Sequence, residues 1–129
     1  MSADLRDRPK PFDELRDVYD FLEHVRLRPG MFVRDGSLQE LMLILSGYGT
    51  ALRVHDVGEH FDLAPVGPFA DWLRWNRGWS MSCGWATAIE LNVQDEPPLS
   101  AFFRLLDEWR ATTAAEQAQV AAPCDDERP

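Results

Sequence analysis

The apolar residues of this chain fall in blocks whose spacing is helical, then irregular, then helical again. Phe12, Leu15, Val18, Tyr19, Leu22 and Val25 recur at steps of three and four, while Asp13, Glu14, Arg16, Asp17, Asp20 and Glu23 fill the other side. That period predicts an amphipathic helix ending near Arg28, because Pro29 disfavours helical geometry in the residue before it. Ser37-Leu-Gln-Glu40 fits a capping box and opens a second helix. Its stripe is Leu38, Leu41, Leu45, Tyr48 and Leu52, widened by Met42, Ile44 and Ala51, so this helix is expected to be largely buried. Gly47 and Gly49 each weaken it by about 1 kcal/mol relative to alanine, which suits a close approach by another helix.

Residues 55–67, HDVGEHFDLAPVG, form the longest irregular connection. Pro68 suits a first helical position, and FADWLRWN follows as a short helix stopped by Gly78. Ser80 or Ser82 is expected to cap a fourth helix through Trp85, Ala88, Ile89 and Asn92. A short strand over 86–93 fits the same apolar run; helix is preferred because no second clear strand exists to pair with it. Pro97-Pro98 starts a last helix lined by Leu99, Phe102, Phe103, Leu106 and Trp109. The pattern therefore predicts an all-α fold, a compact bundle of about five helices over residues 12–112. Residues 1–11 read as a flexible leader, and 113–129 as a helix extension or a disordered acidic tail.

Composition narrows the functional classes. With 129 residues, 45% of them hydrophobic, the chain suits one core and is too short for two. No apolar run approaches the length of a membrane span. The start, MSADLRDRPKPFDE, lacks a signal-peptide core, and Cys83 and Cys124 form no disulfide framework, so a reducing, cytoplasmic setting is expected. The net charge of −9 is concentrated after Ser37, where 14 acids face 6 bases. Such a surface repels phosphate backbones and disfavours general nucleic-acid binding; the partner that electrostatics favours is a basic protein.

Two resemblances rest on quoted residues. The run Arg28-Pro29-Gly30-Met31-Phe32 is similar to a turn in the ATP-binding domain of DNA gyrase B subunits. Such an ATPase needs an asparagine in the following helix and a later D-x-G-x-G motif; neither occurs here, so the ATPase reading fails. A longer order combines that turn with Ser37-Leu38 and Leu41, Gly47-Tyr48, Phe69 with Trp72-Leu73, Gly84-Trp85, and Phe102-Phe103 with Leu105-Leu106-Asp107-Glu108. This order resembles a group of small, mostly uncharacterised bacterial R-P-G-M-[YF] proteins, some of them treated as immunity proteins against polymorphic toxins. Phe32-Val33-Arg34 departs from the group, which usually has tyrosine, an aliphatic residue and glycine there. The turn itself reads structurally: Pro29 stops the helix, Gly30 allows the bend, Met31-Phe32 tuck beneath the core, and Arg28 reaches Asp107 or Glu108.

Three clusters are candidates for chemistry. DWLRWNRGWSMSCGW holds four of the five tryptophans; Trp72 and Trp75 are expected to share a helix face, and at least two of the four to be core. Tryptophan and arginine dominate interface hot spots, so Trp75, Arg77 and Trp79, together with Arg28, Glu59 and Asp62, are the candidate partner-binding residues. Cys83 precedes a helix, whose dipole favours a thiolate; an alternative reading makes it a nucleophile served by an upstream His24, His55 or His60, beside the simpler reading of a buried inert thiol. His55, Asp56, Glu59, His60 and Asp62 crowd eight residues, yet their spacing matches no standard zinc signature, so no metal and no cofactor is expected. The reading these features favour is a non-enzymatic, protein-binding module of the immunity type; the alternatives are the Cys83 enzyme and a small-ligand-binding accessory protein of a biosynthetic operon.

Overall fold

Side-chain caps start two of the helices and prolines start two more. The structure, a computed structural model, describes residues 9–126, with side chains described through residue 116. Five α-helices occur among the described residues: α1 (Val18–Leu27), α2 (Leu38–Val54), α3 (Pro68–Arg77), α4 (Gly84–Asn92) and α5 (Pro98–Asp126). Short 3-10 turns span Phe12–Glu14, Pro29–Met31 and Arg34–Gly36.

The first helix starts later than its periodicity suggests. Asp17 caps it by accepting the Asp20 N–H at 3.0 Å, and the Asp20 carboxylate accepts the Arg16 N–H at 3.0 Å. These bonds satisfy the free amides of the first turn and hold Leu15 extended, so Phe12 is left 60% exposed rather than buried. At α2 the Ser37 hydroxyl accepts the Glu40 N–H as expected, but Glu40 reaches the Arg34 N–H at 2.7 Å instead of closing the reciprocal bond to Ser37. Pro68 opens α3, and Gly78, at a φ of +73°, ends it.

Three expectations need correction here. Neither Ser80 nor Ser82 caps α4; the N-cap is Cys83, without a side-chain bond, and the two hydroxyls lie 3.1 Å from each other. Residues 86–92 are helix, the form preferred from the sequence over a strand, and Val93 is the cap, because Trp85, Ala86, Ala88 and Ile89 bury at helical spacing against α2 and α5. In the turn after α1, Gly30 has no positive φ; the left-handed positions are Asp35 and Gly36. Met31 is 69% exposed, and Val33, at 3%, fills the core in its place.

The core is one cluster centred on Phe69, Trp85 and Phe102. Trp85 stacks on Phe102 at 4.9 Å, and Phe69 meets both, and Trp109, edge-on. Each such side chain contributes about 1.5–3 kcal/mol by burial. Trp85 also donates Nε1–H to the Leu63 carbonyl at 3.0 Å, which satisfies its polar edge and fixes the connection to the core. Helix α4 runs against α2 in the opposite sense: Gln39 Nε2 bonds Thr87 and Glu90, each at 2.9 Å, while Met42 covers Gly84. Gly84 is required twice, by a φ of +88° and by Met42 Sδ, which would lie 3.1 Å from an added Cβ. The last helix extends well past Trp109, the helix-extension form of the 113–129 expectation as far as Asp126; residues 127–129, like 1–8, lie outside the described residues.

Candidate functional site

The acidic connection between α2 and α3 is a scaffold before it is a surface. Glu59 accepts the Val18 N–H at 2.9 Å and the Tyr48 hydroxyl at 2.7 Å, joining the start of α1 to α2. Asp62 accepts the Tyr19 hydroxyl at 3.3 Å. Its other oxygen, Oδ1, is shielded from water without an aligned donor, although the exposed His60 Nε2 stands 2.6 Å away. A small rotation of the imidazole would turn that approach into a hydrogen bond. Burial, with the carboxylates beside them, raises both phenols well above their ordinary value. Glu59 and Asp62, read from sequence as partner contacts, thus already serve as internal acceptors.

The arginines divide similarly. Arg26, not Arg28, forks onto Asp107 with bonds of 3.2 and 3.0 Å, and its guanidinium lies 4.5 Å over the Phe103 ring. Arg28 is exposed in the turn after α1. Its backbone, at φ −137° and ψ 69°, has already left the helix that carries Arg26. Arg77 pairs with Glu108 and lies 5.7 Å over Trp72, tying α3 to α5. Arg104 bonds Glu96 at 2.7 Å and reaches Glu108, completing a network around a groove that Arg26 and Pro29 also line.

The tryptophans separate by depth. Trp85 is fully buried and Trp109 nearly so; Trp72 and Trp79 are half-buried against the core. Trp75 is 78% exposed, so Trp72 and Trp75 do not share an environment: three residues turn the helix past its buried edge. Beside Trp75 lies Arg74, whose guanidinium is 5.6 Å from the ring and which also lines a groove of about 350 Å³ with Val66, Ala70, Asp71, Met81 and Ser82. Val66 is 84% exposed. Pro65 is shared with a larger groove of about 810 Å³ between α2 and the connection, lined by Thr50, Arg53, Val57, Glu59 and Phe61 among others. The two grooves therefore adjoin at Pro65, and Arg74 lines the smaller one.

Sequence reasoning missed Val66, Val57 and Arg74 in these grooves. The signal was there: Val66 stands between Pro65 and Gly67, where an apolar side chain has no helix or strand to bury it. Cys83 is exposed rather than buried, at the N-cap of α4, while the three histidines are engaged or placed elsewhere. His24 contacts the Lys10 carbonyl, His55 caps the end of α2, and His60 faces Asp62; none hydrogen-bonds to the thiol. Among the described residues no three of His, Cys, Asp and Glu are grouped to hold a metal ion, and no helix is long and apolar enough to cross a membrane. No protein-family model matches the chain, and neither a curated protein nor a solved structure matches it.

Proposed function

We propose that this protein is a binding module that acts by covering a basic partner protein, as an immunity protein covers a toxin. The observation that carries this reading is Trp75, a tryptophan 78% exposed on α3 beside Arg74. An aromatic of this size displayed on a well-packed scaffold, with arginine next to it, has the composition of an interface anchor. The charge of −9 supports the same reading by steering a cationic partner toward the molecule. The resemblance to R-P-G-M-[YF] proteins, some treated as immunity proteins, points in the same direction.

Co-expression with the products of genes beside its own tests the reading. A toxic neighbour should be neutralised, should co-purify with this chain, and should lose both properties with Trp75→Ala. Neither rescue nor co-purification by any neighbour would end the proposal.

A further inference from the structure

The outward side of α2 carries a feature the fold does not use. Its most outward positions are Leu43, Gly47, Thr50 and Val54, flanked by Ser46 and Ala51, and no charged residue occurs between Glu40 and Arg53. Leu43 is 70% exposed and Val54 71%, although the rest of the surface is rich in charge. A Cβ on Gly47 would meet nothing within 4 Å, so no neighbour inside this chain requires glycine there. This apolar face borders the groove of about 810 Å³, whose far wall is Val57, Phe61, Ala64 and Pro65. Val57 is itself 51% exposed, so the apolar surface continues across the groove.

Three acids and two bases stand beside the face. Asp56 and Glu59 line the groove, and Glu59 also lines the adjoining hollow together with Asp17. Arg53 and Arg16 are the bases on these walls. The face spans about three helical turns, or ~16 Å. It offers no open backbone edge to pair with a strand; it offers a row of small residues between two larger apolar ones, into which the ridge of a second helix fits.

We infer that the α2 face and its groove receive an amphipathic helix of the partner, with its apolar side on Leu43, Val54 and Val57 and its basic flank toward Asp56 and Glu59. The inference rests on the reading of this protein as a binder of a basic partner, and it adds where and in what form that partner docks.

The test uses the full chain and a synthetic leucine–lysine peptide whose leucines fall on one helical face, beside a scrambled peptide of the same composition with no such face. The amphipathic peptide should bind about tenfold tighter than the scrambled one, and NMR shifts should map to α2 and the 57–65 wall. Leu43→Ser with Val54→Ser should abolish that difference without moving the urea midpoint, since both side chains are exposed. Equal affinity for the two peptides, shifts mapped elsewhere, or an unaltered response in the double variant would overturn the inference. So would sedimentation showing that the free protein dimerises and that the double variant is monomeric, because a second copy would then occupy the face. Failure here, with Trp75-dependent co-purification intact, removes the α2 dock and leaves the proposed function standing.

Discussion

A tryptophan's depth decides what its removal does. Trp85 is fully enclosed with its indole N–H bonded, so Trp85→Ala should cost about 3–5 kcal/mol in urea unfolding and leave little folded protein. Trp75→Ala should change stability by no more than about 0.5 kcal/mol while weakening partner binding. Glu59→Ala removes an acceptor from both the Val18 amide and the Tyr48 hydroxyl, and should cost about 1–2 kcal/mol by the same measurement. The tyrosines give the molecule an alkaline limit. Burial first, then Glu59 at Tyr48 and the Asp62 charge at Tyr19, raise these phenols above 10.0 in the folded state. Their contribution is therefore complete below pH 10 and is lost as pH climbs toward the folded values, because the unfolded chain releases those protons first. Tyrosinate absorbance should lag that of free tyrosine and rise together with loss of helix; Tyr48→Phe should flatten this dependence. Asp20 acts in the opposite sense: accepting the Arg16 N–H lowers its carboxyl below 3.8, so its contribution fades as acid takes the pH down through the folded value.

Among elements, α2 shows how glycines in one helix can have opposite roles. Gly49 faces the Phe61 ring, which would lie 2.8 Å from an added Cβ, so it is the connection rather than another helix that comes close. Gly49→Ala should destabilise by about 1–3 kcal/mol, whereas Gly47→Ala should stabilise by up to about 1 kcal/mol; thermal melting separates the two. The helices themselves were legible because the core is made of long apolar stripes: Leu38, Leu41 and Leu45 on α2, Phe102, Phe103 and Leu106 on α5. Boundaries were less so. Phe12 and Leu15 keep the helical period, but the Asp17 and Asp20 caps win locally, and a period count has no term for a cap that interrupts it. The surface was half legible. Trp75 stood out by type, while Glu59 and Asp62 looked like free acids because their partners, Val18, Tyr48 and Tyr19, are distant in sequence and become neighbours only through the fold. The Arg28 expectation failed by about half a helical turn: Arg26, still within α1, reaches Asp107, whereas Arg28 lies past the helix end with a non-helical backbone.

For the whole molecule, charge determines the rate of encounter more than the strength of the final contact. A cationic partner should associate fastest in dilute buffer, and its association rate should fall by about tenfold or more between low and physiological salt, with a smaller change in dissociation. Stopped-flow measurements check this; a rate indifferent to salt would place the recognition entirely in apolar contacts. The ion pairs that cross between helices, Arg26–Asp107 and Arg77–Glu108, are partly exposed and set orientation more than stability.

The spread of indoles from the centre of the protein to its rim also makes the chain its own optical gauge. Light emitted by Trp85 comes from a dry, aromatic setting and should be blue-shifted and shielded from acrylamide, while Trp75 should emit to the red and quench readily. With Trp75→Phe, the remaining emission comes from four indoles packed in or against the core, so it should respond less to an event at the rim and still report collapse of the interior. A ligand seated at the rim and a fold coming apart can thus be told apart in one cuvette, with no added dye.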